Sequence, residues 1–151
     1  MDAESLGWPS AEPSYRLRPG ADQETAPVDV FAAVLDATDR SPERVSLRLG
    51  IGRRTDVVGP RRVALEGLSG HEDVTVAGDH AIGTVPVTDE TFDSLVPVWA
   101  DIDRAVVWDA EGVPIVEWRD GQLRFALPTA AAQQVQEDVS AAVAARIERV
   151  E

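Results

Sequence analysis

The residues best equipped for chemistry in this chain are arginines. Arg44, Arg48, Arg53, Arg54, Arg61 and Arg62 fall within residues 44–62 beside a single acid, Asp56, giving that stretch a charge of +5. A guanidinium is a rigid, permanently charged fork that matches the two oxygens of a carboxylate or phosphate. Arg53-Arg54 and Arg61-Arg62 flank Gly59-Pro60, a turn dipeptide that would project four such forks at one end of a sheet. Arg48, Arg53, Arg54, Arg61 and Arg62 are therefore the candidate residues for binding a partner or an anion. A structural reading stands beside this one. The whole chain carries −13, with −6 over residues 1–43 and −12 over residues 63–151, so the same arginines also suit pairing with the protein's own acids on neighbouring strands.

No other constellation carries a reaction. His71 and His80 have Glu72, Asp73 and Asp79 nearby, but their spacing follows no metal-ligand rule, and both read as solvated turn residues. The carboxylates of Asp101 and Asp103 read as exposed at a helix end rather than as an acid–base pair. Gly50-Ile51-Gly52 lacks the third glycine and the following helix of a dinucleotide loop. Gly67 and Ser69 resemble a nucleophile elbow whose second glycine comes one place early. No catalytic residue, metal site or cofactor follows from these residues.

Composition narrows the classes further. The 151 residues suit one domain with a real core. No apolar run approaches the roughly 18 residues of a membrane span, and residues 1–15 lack the apolar stretch of a secretory signal. Cysteine is absent, which removes disulfides and thiolate chemistry and suits a cytoplasmic location. All 14 basic residues are arginine, a bias of the kind a GC-rich genome produces. Strong net negative charge opposes binding to nucleic acid or to an anionic membrane.

The elements that must position these residues are legible to different degrees. Residues 1–24, broken by Pro9, Pro13 and Pro19, read as a flexible tail in which Tyr15–Arg18 forms at most a short edge strand. A single domain then spans residues 25–151. Val30, Phe31, Val34 and Leu35 mark a first helix, opened by Pro27 and Asp29. Val45, Leu47, Leu49 and Ile51 alternate with Ser46 and Arg48 as in a half-buried strand. Residues 62–68, 73–78 and 81–88 read as further strands. Thr88 caps a helix to Ile102 with a kink or break at Pro97.

Asp120-Gly121 makes a two-residue hairpin turn, pairing Trp118 with Leu123 and Val116 with Phe125. Gly112 closes a three-residue loop that pairs Trp108 with Pro114 and Val106 with Val116. In that register Val106, Trp108, Val116, Trp118, Leu123, Phe125 and Leu127 form the buried face. Val107, Ile115, Glu117, Arg119 and Arg124 lie on the other, half-exposed face as a candidate interface. A last helix runs from Pro128 towards the C-terminus, with Val135, Val139, Val143, Ile147 and Val150 along one seam.

These elements define an α+β protein: an antiparallel sheet of about six strands, with N-terminal, middle and C-terminal helices packed mainly on one face. In its acidity and its α-β-β-β-α-β-β-α order the chain resembles class I chaperones of type III secretion over residues 27–150. That resemblance implies a homodimer that binds another polypeptide. The first functional reading is thus a noncatalytic protein-binding module (chaperone-like, adaptor or immunity protein) whose acidic surface suits a basic polypeptide. The alternative is a small-molecule or anion-binding domain, an enzyme included, that uses the arginines at 53–62.

Overall fold

Period-2 alternation builds the sheet, and the helices supply the layer that covers one side of it. The computed structural model describes residues 12–18, 26–50, 60–70, 72–119 and 121–150. In chain order these form β1 (Ser14–Leu17), α1 (Ala26–Ala37), β2 (Pro42–Gly50), α2 (Pro60–Ser69), β3 (Val74–Ala77), β4 (His80–Pro86), α3 (Asp89–Leu95), a 3-10 helix (Val96–Asp101), β5 (Ile102–Asp109), β6 (Pro114–Arg119), β7 (Gln122–Ala126), α4 (Thr129–Asp138), α5 (Ala141–Ala144) and β8 (Ile147–Val150). The fold is α+β. Its eight described strands make one sheet in the order β3-β4-β2-β5-β6-β7-β1-β8, antiparallel at every pairing.

One face of this sheet is apolar. Val45, Leu47 and Leu49 of β2 lie beside Ala105 and Val107 of β5, and the same face continues through Val116, Phe125 and Leu17. Against it the helices bury Val30, Phe31 and Val34 of α1, Ala64 and Leu68 of α2, Leu95 of α3, and Ala132 and Val135 of α4, all in one cluster. Its aromatic centre is Phe31, edge-on to Trp99 at 5.1 Å, with Trp99 tilted against Trp118 at 5.2 Å. Burial of this size is the main stabilising term of a domain of this length.

Several expectations hold. α1 carries the expected stripe. Thr88 caps α3 by accepting from the Thr91 amide. The helix changes to the tighter 3-10 form at Val96, where Pro97 removes a donor. The hairpin joining β6 and β7 has the expected register, with Gly121 left-handed at φ +80°.

Others are corrected. The strand expected at residues 62–68 is helix α2. Pro60 opens it, a position that needs no amide donor, and Ala64 and Leu68 are buried four residues apart while Val63 is exposed. The C-terminal helix stops at Asp138. Ser140 caps the single turn of α5 by accepting from the Val143 amide, and Ile147–Val150 is strand β8. β1, within the expected tail, is an interior strand between β7 and β8.

The sharpest correction is a register shift. The loop after β5 is as expected: Asp109 N–H donates to Val113 O, Gly112 has φ +79°, and Trp108 lies opposite Pro114. One residue further, Ile115 is extra. Val107 then faces Val116, and Val106 faces Glu117. Such a β-bulge moves every later side chain of the strand to the other face. Trp118 therefore sits on the helix side, and Trp108 on the opposite side beside Arg44. Val107 and Ile115, expected on a half-exposed interface, are both wholly buried.

Candidate anion-binding face of the sheet

The second face of the sheet collects the polar positions of seven strands. Ladder partners share a face, so the register can be read across the sheet. One row runs Ile82, Arg48, Arg104, Arg119, Gln122 through β4, β2, β5, β6 and β7. The next runs Thr84, Ser46, Val106, Glu117, Arg124, Arg16, Glu148 through β4, β2, β5, β6, β7, β1 and β8. Arg18 follows Leu17 directly and opens onto the end of the first row. Six arginines (Arg16, Arg18, Arg48, Arg104, Arg119 and Arg124) thus stand near Asp103, Glu117 and Glu148, in a chain of net charge −13.

Like charges directly opposite on neighbouring strands are unfavourable. Here Arg48 faces Arg104, and Arg104 faces Arg119. The acids relieve part of that repulsion. Glu117, only 7% exposed, accepts from Arg104 Nε at 3.3 Å and lies 3.2 Å from Arg104 Nη2 as an ion pair. Glu148 pairs with Arg16 and lies 4.0 Å from Arg18. Asp103 lies 3.9 Å from Arg48 Nε and hydrogen-bonds His80 Nε2 at 3.0 Å. These contacts hold the guanidinium groups in place while leaving exposed edges on Arg16 and Arg48, whose side chains are 60% and 55% accessible.

At the far end of this surface a groove of about 580 Å³ opens between β6, β7, β1 and β8, lined by Arg16, Arg18, Arg119, Arg124, Glu117 and Glu148 among others. At the other end the Trp108 indole donates to Ser46 Oγ at 2.9 Å, and the Arg44 guanidinium sits 5.8 Å from the ring centroid. That contact fixes the ring by hydrogen bonding and cation–π attraction.

The sequence-derived residues divide between places. Arg48, Glu117, Arg119 and Arg124 meet on this face. Arg61 and Arg62 belong to the first turn of α2, whose buried residues join the core on the other side of the sheet. Arg53, Arg54 and His71 lie outside the described residues. His80 opens β4 and bonds Asp103 instead of standing free in a turn. Among the described residues no group of three His, Cys, Asp or Glu side chains is placed to hold a metal. With Val107 and Ile115 in the core, the candidate interface loses its two apolar residues and keeps Glu117, Arg119 and Arg124.

Sequence reasoning missed Arg16, Arg18 and Arg104 as members. The signal was present as alternation: Arg16 and Arg18 flank Leu17, Arg104 precedes Ala105, Glu117 and Arg119 flank Trp118, and Arg124 separates Leu123 from Phe125. No protein-family model, curated protein or solved structure matches this chain.

Proposed function

We propose that this protein is a noncatalytic binding module, chaperone-like or adaptor in kind, whose working surface is the second face of the sheet and whose partner presents an acidic polypeptide segment to it. The observation that carries the reading is the cross-strand row Arg48–Arg104–Arg119, backed by Arg124 and Arg16 in the next row. Three guanidinium groups stand side by side across this row, and an anion laid over them adds to the attraction already supplied by Glu117 and Asp103. From β2 to β1 the two rows together span four strand spacings, about 19 Å. An extended peptide covers that distance with about six residues.

The rest of the molecule favours a short acidic segment over nucleic acid. A long polyanion would meet the field of the net −13 surface beyond the basic face, whereas a local cluster of carboxylates meets only the arginines. The acidity elsewhere thus sharpens selection rather than opposing it.

Titration of the isotopically labelled protein with a hexaglutamate peptide tests this. Amide shifts are expected along β2, β5, β6, β7 and β1, weakening as salt is added. Shifts confined to the helical layer, or none at millimolar peptide, would overturn the reading.

A further inference from the structure

The two ends of the sheet are defended differently. Among the described strands β8 closes one end and β3 the other. β8 carries Glu148 and Arg149, charges of the kind that keep an edge from pairing with another chain. β3 reads Val74-Thr75-Val76-Ala77, with no charge and no proline, and three of its four residues are exposed. The Thr84 amide donates to Asp73 O at 3.3 Å. Bonded residues alternate along an antiparallel ladder, so Asp73, Thr75 and Ala77 turn their backbone groups towards β4. Val74 and Val76 turn theirs, two N–H donors and two carbonyl acceptors, out of the sheet.

Side chains at this edge are apolar too. Val76 shares the helix-side face with Ala81 and Leu49, yet it is 45% exposed, and Ile82, opposite Thr75 on the second face, is 46% exposed. Acids bracket the strand. Glu72 and Asp73 precede it, Asp79 follows it, and all three are exposed. Among the described residues no ion pair engages them. A second copy pairing its β3 here in antiparallel fashion would bring Glu72 and Asp73 of each chain to the end where Asp79 of the other lies, and like charges across a strand pair are unfavourable. The edge therefore repels its own kind and attracts a strand with basic ends.

We infer that β3 is a docking edge for an extended segment of another polypeptide, β-branched at its centre and flanked on both sides by arginine or lysine, which joins the sheet as a further antiparallel strand. Its main chain takes the bonds that Val74 and Val76 hold out. Its alternate side chains lie beside Val76 on one face and Thr75 on the other, and its basic ends meet Glu72, Asp73 and Asp79. This site is separate from the arginine face and selects the opposite charge.

The experiment is titration of the isotopically labelled protein with the capped heptapeptide Arg-Arg-Val-Thr-Val-Arg-Arg, with amide shifts and hydrogen exchange read residue by residue. With its threonine opposite Thr75, the peptide sets its valines opposite Val74 and Val76. Shifts should centre on β3 and β4, and exchange should slow at the Val74 and Val76 amides. With glutamate in place of all four arginines, the affinity measured at β3 should fall at least about tenfold. Methylating both valine nitrogens of the peptide removes the donors that face β3 and should also cost about tenfold, whereas methylating the threonine nitrogen, which faces away, should cost less than about twofold. Val76→Pro deletes one outward donor and leaves the ladder to β4 intact, since an edge strand tolerates proline where its N–H faces solvent; it should weaken binding about tenfold.

Equal affinity of the arginine- and glutamate-flanked peptides at β3 would overturn the basic partner. Equal binding of the two methylated peptides would overturn strand addition, whether or not Val76→Pro folds. Unchanged exchange at Val74 and Val76 with millimolar peptide would overturn the docking edge itself. Protection of those amides that rises with protein concentration alone would make a second copy the occupant and overturn the assignment to another polypeptide. None of these results bears on the arginine face, which is judged by the hexaglutamate peptide and by shifts in β2, β5, β6, β7 and β1.

Discussion

Removal of the Asp109 carboxylate tests the energetics of the fold at the point where four chain segments meet. Asp109 ends β5 and is 4% exposed. Its Oδ1 accepts from the backbone amides of Glu111 and Val113, each at 2.9 Å, which closes the loop before β6. Its Oδ2 accepts from Arg40 Nη1 at 3.2 Å, and Arg40 Nη2 donates onward to Ala126 O at the end of β7. Burial alone would raise the pKa of Asp109. The amides of Val113 and Glu111 and the Arg40 guanidinium outweigh it and hold the carboxyl below the usual carboxylate range. Asp109→Ala takes from the largely buried Arg40 the nearer of its two acids, leaving Glu12 at 3.5 Å, and leaves two amides without an acceptor. Breaking one side of a buried ion pair costs about 3–5 kcal/mol, and in a domain of this size about 4 kcal/mol lowers Tm by roughly 8–16 °C. Asp109→Asn keeps an acceptor for both amides but turns an amide donor towards Arg40, at a cost of about 2 kcal/mol.

The pH dependence gives the argument a sign. A carboxyl whose folded pKa is depressed contributes its full stability above its unfolded pKa, and loses it as pH falls through the folded value. The difference between the parent and Asp109→Asn, measured by urea unfolding followed by circular dichroism, should therefore be constant from about pH 8 to pH 5. It should shrink below about pH 4, the region where an ordinary Asp takes up its proton. A difference unchanged down to about pH 3, or a cost below about 1 kcal/mol for Asp109→Ala, would refute the assignment of Asp109 as an ionised tie.

Two further outcomes follow from neighbouring geometry. Glu12 lies 3.5 Å from Arg40 Nε, yet its pKa is raised, because burial and the charges of Asp39 and Asp109 outweigh the attraction of Arg40. The sign is opposite to that of Asp109: Glu12 opposes folding above its folded pKa, so Glu12→Gln should leave stability unchanged or raise it at pH 7, with any gain fading on acidification in the same unfolding assay. At Gly83, a Cβ would lie 2.2 Å from Asp73 O and 2.6 Å from Val74 Cα. Gly83→Ala should push β3 away from β4, costing about 1–3 kcal/mol, and hydrogen exchange should rise at Val74–Ala77 but not in β5–β7.

What the sequence revealed followed from local signals with a single solution. Thr88 and Pro97 set the start and the change of the middle helix through a hydroxyl acceptor and a missing donor. Asp120-Gly121 set a hairpin because a two-residue turn needs a residue that accepts positive φ. Where local signals were degenerate, tertiary packing decided. Val139–Ala145 is rich in alanine and reads as helix, but Ile147 reaches the core only as a strand residue beside Leu17, and propensity gives way to that burial. Residues 62–68 alternate well enough for a strand, but Ala64 and Leu68 reach the core from one side of a helix.

The bulge at Ile115 governs both the core and the candidate site. Val113-Pro114-Ile115-Val116 is an unbroken apolar run, so no alternation there marks which residue is doubled. Its necessity appears only when the two halves of the sheet are joined. In β2 and β5 the apolar stripe is Val45, Leu47, Ala105 and Val107; in β6, β7 and β1 it is Val116, Trp118, Leu123, Phe125 and Leu17. An unbroken ladder from Trp108–Pro114 would set Val106 opposite Val116 and Ala105 opposite Glu117. The two stripes would then face opposite sides of the sheet, with Glu117 and Arg119 turned towards the helices at a cost of several kcal/mol for each buried charge. One extra residue puts both stripes under the same helical layer. The same step places Arg48 and Arg104 from one half beside Arg119, Arg124 and Arg16 from the other. The arginine face is therefore a consequence of the register that completes the core. The run of arginines at 44–62, although dense in sequence, contributes to the central row through Arg48, because proximity along the chain does not determine which side chains share the face of a sheet.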